Sequence, residues 1–248
     1  MSDVNPSEPA AAPSSTMAAP RRPGLARRLA RNPLVNLVAA FLVLALVQTF
    51  LVRLYAVPSG SMEQTLEIGD RILVNRLAYL GDGPQTGDVV VFDASDAWEA
   101  PRAADPNPLK AAVKWVGGIV GIGPSDRHTL VKRVIAGPGQ TVSCCDAEGR
   151  MLVDGVPLDE PYVFEDLPFV AGSTDCESTP ASLRCFDEYT LPDDRYLVLG
   201  DHRSASGDGL ANCRGQTVID DCVRLVKKED VVGRVFQIVF PFGNWGPV

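Results

Sequence analysis

Two serines and a lysine carry the first chemical suggestion in this sequence. Ser59 and Ser61 lie in AVPSGSMEQTL (Ala56–Leu66), just after a long apolar run, and Lys132 lies in TLVKRVI. A serine nucleophile needs a base, oxyanion donors and an open approach. Pro58 biases Val57 away from helix and Gly60 lets backbone or ligand come close, so Ser61 is expected in a sharp, exposed bend. By itself, PSGS describes an ordinary turn equally well. Histidine is the usual base, and there are two, His128 and His202. The first opens a strand-like run with no acid patterned beside it and the second sits in the polar loop GDHRSASGD; neither has context beyond that of a surface histidine. Lys132 differs. If TLVKRVI is a strand, alternation puts Leu130, Lys132 and Val134 on one face. Burial there would desolvate the amine and lower its pKa, and a fall from ~10.4 to about 7–8, roughly 3–5 kcal/mol, makes a general base. The pattern alone favours an edge-strand lysine that snorkels to water.

The elements that must position these groups read as strands. DRILVNRLAY (Asp70–Tyr79), GDVVVFDA (Gly87–Ala94), HTLVKRVIA (His128–Ala136), RMLVDGVPL (Arg150–Leu158), RYLVLGD (Arg195–Asp201) and VVGRVFQIVF (Val231–Phe240) are short, rich in Val, Ile and Leu, and punctuated by Gly, Pro and Asp. Asp154-Gly155 between β-formers is a hairpin signal. Helical periodicity is scarce: Leu109–Val120 could hold one short helix, weakened by its glycines. KWVGGIVGIG is too short to span a bilayer and reads as core or as a loop touching the membrane. The expectation is a mainly β body, with Arg102–Gly123 and Glu165–Leu191 as insertions or loops, and with no internal repeat.

Ahead of that body, residues 1–20 are rich in Pro, Ala and Ser and cannot bury enough surface to offset their ordering entropy, so residues 1–32 are expected to be disordered. The run PLVNLVAAFLVLALVQTFLV, Pro33 to Val52, holds no charge. At ~1.5 Å per residue it reaches about 30 Å, the thickness of a hydrocarbon core. It is longer and starts later than the apolar region of a cleaved signal peptide, so a retained anchor over residues 33–53 is expected, with residues 54–248 forming the body. Five arginines (Arg21, Arg22, Arg27, Arg28, Arg31) precede it against Asp3 and Glu8, a local charge of +3, so the rest carries −11 of the total −8. The positive-inside rule then keeps the N-terminus cytoplasmic and the body outside the plasma membrane. A body so acidic is a poor phosphate binder, which excludes nucleic acid as a partner. All six cysteines follow the anchor. An even number in an exported domain points to disulfides, with fifteen full connectivities. The short-range pairs Cys176–Cys185 and Cys213–Cys222 are the cheapest. Neighbouring Cys144 and Cys145 would bond under strain, so each is expected to have a distant partner or stay free. Zinc is the rival, without a CxxC or nearby histidine to support it.

PSGSMEQTLEIGDRILVNRLAY, GDVVVF, LVKRVIAGPGQ and GDHRSASGD, in this order and after one anchor, resemble the successive motifs of bacterial type I signal peptidases; a composition rich in Ala and Arg with few lysines suggests an actinobacterial-type member. The resemblance covers most of residues 33–240. It implies a signal-peptidase-like β body tethered by one N-terminal transmembrane helix, and a serine protease working through a Ser–Lys dyad. Position by position, it makes Ser61 the nucleophile and Lys132 the general base. Ser59 would share the oxyanion hole with the Ser61 amide, and Ser206 would hydrogen-bond and orient the lysine. Asp201, Arg203 and Asp208 would brace the site. Val57, Pro58, Met62, Leu66, Ile72, Leu130 and Val131 would line shallow substrate pockets that favour Ala-X-Ala before the cut. The implied partners are membrane lipid and the signal peptides of exported preproteins; no metal or organic cofactor is implied. Gln64 stands where proline is usual, which is expected to loosen the bend, and Leu210 where arginine is common, which removes a salt bridge to Asp208 unless Arg214 supplies one. A Ser–Lys autoprotease and an inactive membrane-tethered interaction module are the alternatives.

Overall fold

The computed structural model describes residues 32–94, 98, 129–216, 220 and 222–248. All of the expected disordered N-terminal segment but Asn32, the expected helix at Leu109–Val120, the KWVGGIVGIG segment and His128 fall outside those residues.

Helix α1 (Pro33–Phe50) is 18 residues of mean hydropathy 2.1 with no charged side chain. At 1.5 Å per residue it is about 27 Å long. Among the described residues it is the one helix long and apolar enough to cross a membrane. It ends at Phe50, and Val52 opens β1 (Val52–Ala56), so Val52 and Arg53 belong to a strand rather than to the apolar span.

The body is two antiparallel sheets. The larger uses β1, β2 (Arg71–Asn75), β3 (Val89–Asp93), β4 (Thr129–Ala136), β9 (Arg195–Leu199), β10 (Val226–Lys227), β11 (Val231–Phe240) and β12 (Gly246–Pro247). Its order is β1-β2-β11-β3-β4-β9-β10, with β12 pairing β11. The smaller sheet runs β7-β6-β5-β8, from β5 (Thr141–Cys144), β6 (Met151–Val153), β7 (Val156–Pro157) and β8 (Phe186–Thr190). β8 lies inside the stretch expected to be an insertion: its Phe186 is buried while its polar residues face water, so little apolar pattern marks it. The Asp154-Gly155 turn joins β6 to β7, with both residues at positive φ, 52° and 76°.

Sequence pattern accounts for the packing. β2 buries Ile72 and Val74 completely and leaves the residues between half-exposed, the alternation of a strand covered on one face. β3 buries Val89, Val90, Val91 and Phe92 in succession, as a central strand covered on both faces must. One core cluster gathers Tyr55, Met62, Leu66, Ile72, Val91 and Ile238; a second forms around Val90, Phe92, Trp98 and Val198; a third joins Ile135, Leu197 and Leu199 of the large sheet to Val142, Met151 and Phe186 of the small one.

All six cysteines are paired. Cys176–Cys185 and Cys213–Cys222 close loops of nine residues' separation, and Cys144 is bonded to Cys145. The last pair differs from the expectation of distant partners: with the other four cysteines closed on each other, none is left for Cys144 and Cys145 but one another.

Candidate active site

Ser61 sits on a turn that begins where β1 ends. Its base is closed by Val57, whose N–H donates to the Asp70 carbonyl and whose carbonyl accepts from Gly69, both at 2.9 Å. The buried Asp70 carboxylate accepts from the Glu67 amide at 2.9 Å and from Asn244 Nδ2 at 2.9 Å. Inside the turn the amides of Glu63 and Leu66 donate to the carbonyls of Gly60 and Met62. Gln64 adopts φ 71°, in the left-handed region. Proline is locked near −65° and cannot take this conformation. The expectation of a looser bend gives way to a turn of a different hand, held by Met62 and Leu66 packed in the core below.

Lys132 comes from the middle of β4, where it is paired in register with Val90. Only 4% exposed, its amine stands 2.5 Å from Ser61 Oγ and 3.1 Å from the Val131 carbonyl. The edge-strand reading fails because β4 is flanked by β3 and β9. One-sided alternation fails too, since Arg133 is also largely buried. Ser59 is exposed on the approach to Ser61. Ser206 is buried, but its hydroxyl has no hydrogen-bond partner, so the lysine contact implied for it is not formed. It lies against Gly200. A Cβ built there would stand 2.3 Å from Ser206 Oγ and 2.4 Å from the Ser61 carbonyl oxygen, so only glycine fits.

The bracing residues have definite partners, several of which pattern alone did not reveal. Asp201, fully buried, accepts from Arg133 Nε and Nη2 at 2.9 and 2.6 Å and from Thr65 Oγ1 at 2.5 Å. The Arg133 guanidinium also lies 3.9 Å over the Tyr162 ring. Arg203 donates to the Gly200 carbonyl at 3.1 Å and pairs with Glu160. Burial works against its charge, but the Glu160 pairing outweighs that and raises its pKa. Tyr162, bonded to the same carboxylate, is pushed up by burial and then by the Glu160 charge.

Asp208 accepts from the Gly200 and Leu210 amides at 3.3 and 3.2 Å. Arg214 does not replace the missing bridge; it donates instead to the carbonyls of Arg203, Ser206 and Ser204 at 2.6, 3.1 and 3.4 Å. Leu210 packs against the inter-sheet core, an exchange of ion pair for apolar contact that proteins commonly tolerate.

His202 is not a surface histidine. It is 8% exposed, with Nδ1 2.7 Å from Glu63 and Nε2 3.2 Å from Glu165. Its acids arrive from 139 and 37 residues away, so no local pattern could announce them.

Of the residues assigned to substrate pockets, Pro58 is exposed, and Leu130 and Val131 are half-buried beside Lys132. Val57 and Met62 show 4% and 1% of their surface, and Leu66 and Ile72 none. The last two can act on a substrate only as packing behind the site.

The family described as "Signal peptidase, peptidase S26" matches residues 30–240. The chain belongs to this signal peptidase family. It is 36% identical over 230 residues to a signal peptidase I of Mycobacterium tuberculosis, covering 90% of this chain and 76% of that one. A probable signal peptidase I of Mycobacterium leprae is 36% identical over 214 residues, 81% of this chain and 72% of the relative. A signal peptidase I of Leptolyngbya laminosa is 31% identical over 193 residues, 76% of each. As a family member, this signal peptidase is a serine peptidase, a hydrolase.

Proposed function

We propose that this chain removes N-terminal signal peptides from exported preproteins, cutting after Ala-X-Ala-like sites through a Ser61–Lys132 dyad, while α1 holds it in the plasma membrane. The observation that carries the proposal is the buried Lys132 amine 2.5 Å from Ser61 Oγ. Burial disfavours the ammonium form, and a neutral amine at this distance takes the serine proton as Oγ attacks the scissile carbonyl. The carbonyl oxygen becomes an oxyanion held by the Ser61 amide and the exposed Ser59 hydroxyl. Lys132 then protonates the leaving amine, and water enters to hydrolyse the acyl-enzyme with Lys132 again as base.

The anchor supplies the address. The arginines before α1 favour a cytoplasmic N-terminus and an extracytoplasmic body. Ser61 lies eleven residues past Phe50, so at ~3.3 Å per residue it stands at most about 36 Å along the chain from the end of α1. A translocated preprotein presents the bond after its own apolar segment at the same boundary.

The test is cleavage of a preprotein bearing an Ala-X-Ala site by the detergent-solubilised full chain and its Lys132→Ala variant, with sequencing of the product's N-terminus. Cleavage after the second alanine, lost in the variant, is the expected result. Cleavage persisting in Lys132→Ala removes the lysine as base. An inert wild type turns the reading to the inactive module, and cleavage confined to the chain itself to the autoprotease.

A further inference from the structure

The environment of His202 has a consequence for Ser61. Two separate stretches of chain meet at this imidazole. Glu63, from the turn that carries Ser61, faces Nδ1 at 2.7 Å; Glu165 faces Nε2 at 3.2 Å; and the Phe164 ring packs edge-on at 5.0 Å between centroids. The His202 amide donates to the Ser61 carbonyl at 3.2 Å, so side chain and backbone of one residue grip the same turn. The neighbouring cations are engaged elsewhere, Arg203 with Glu160 and Arg133 with Asp201, so the charged groups facing the ring are the two carboxylates.

Both ring nitrogens therefore point at carboxylate oxygens. Neutral imidazole has one N–H and one lone pair, and an ionised carboxylate only accepts. One contact would then set lone pair against lone pair; the doubly protonated ring satisfies both. The Glu63 carboxylate also lies back over Gly60, between Ser59 and Ser61: a Cβ built on Gly60 would stand 2.7 Å from Glu63 Oε1.

We infer that His202 is a positioning residue: as imidazolium it clamps Glu63, and through it the Ser61 turn, at the distance from Lys132 that the reaction needs. The clamp is a protonation-dependent contact within the site, added to the dyad, and its effect on turnover rests on the proposed Ser–Lys function. Deprotonating the ring releases one of the two carboxylates and loosens the turn; Glu165, the more exposed acid, contributes less than Glu63.

The test is steady-state cleavage of an Ala-X-Ala peptide by the full chain across neutral and alkaline pH, for wild type, Glu63→Gln, His202→Asn and the double variant. At the low end of that range each single variant is expected to lose about tenfold in kcat with KM within about twofold, because a misplaced nucleophile costs turnover rather than affinity. The double variant should be no worse than the poorer single one. The deficit should shrink as pH rises, since the wild-type clamp opens too. Unchanged kcat in both single variants, or a deficit constant with pH, overturns the inference. An activity-independent readout separates this from failure of the dyad reading: hydrogen exchange of the Glu63 and Leu66 amides, which close the Ser61 turn, should speed up about threefold or more in Glu63→Gln and His202→Asn. Unchanged exchange overturns the clamp whether or not the peptide is cut.

Discussion

Gln64 makes the Ser61 turn depend on a left-handed residue, with φ 71° at an exposed position. Glycine takes that conformation without a Cβ penalty, whereas proline cannot reach it and also lacks the N–H that donates to Glu67 Oε1 at 3.4 Å. Gln64→Gly removes a left-handed penalty of roughly 1–2 kcal/mol and gives back about 0.4–1 kcal/mol in unfolded-chain entropy, for an expected net stabilisation of about 0.5–1 kcal/mol. Gln64→Pro, the residue usual in the resembling motif, should destabilise it by about 2 kcal/mol or more and lower turnover. Urea unfolding of the two variants checks the first effect and peptide cleavage the second. A stabilised and fully active Gln64→Pro would mean that the turn readily adopts the other hand.

At the scale of elements, the small sheet is stitched by acidic side chains. Asp154 accepts from the Thr141 amide and Gln140, Asp175 from Ser178 and nearby amides, and Asp146 from Arg150 and its own turn. Hydrogen bonding holds Asp154 and Asp175 below the ordinary carboxylate range; at Asp146 desolvation is the largest single influence and works upward, but the Arg150 contacts and the Glu148 amide together outweigh it. A carboxylate whose pKa is lowered on folding stabilises the native state above its unfolded pKa, and that stability is lost as pH falls through the folded value. The β5–β8 sheet should therefore lose amide-exchange protection on acidification from pH 5 towards about pH 3 before the central strands β3 and β4 do. Hydrogen exchange at the two pH values decides it; equal loss in both sheets would place the acid-sensitive groups elsewhere.

For the whole molecule, the junction that matters is Arg133–Asp201–Thr65. It ties β4, the loop after β9 and the Ser61 turn together in the interior, with the Arg133 and Asp201 side chains 12% and 0% exposed. Removing one charge of such a pair strands the other, so Asp201→Asn is expected to cost about 3 kcal/mol of stability and to lower activity by releasing the turn. Thermal unfolding and cleavage assays measure the two losses, and a variant matching wild type in both would demote the junction to ordinary packing. This junction also marks how far the sequence can be read. Strand alternation in β2, the continuous apolar run of β3, the Asp154-Gly155 turn and the uncharged length of α1 are local properties, visible because periodicity and turn chemistry act over a few residues. Ordered motifs carried the family and pointed to Ser61 and Lys132. What the sequence could not decide was partnership: β11 inserted between β2 and β3, Arg133 held by a carboxylate 68 residues away, and His202 buried between two acids. Such pairings depend on how the closed chain packs. Only the tertiary structure brings these side chains within hydrogen-bonding distance and removes the water that would otherwise satisfy them.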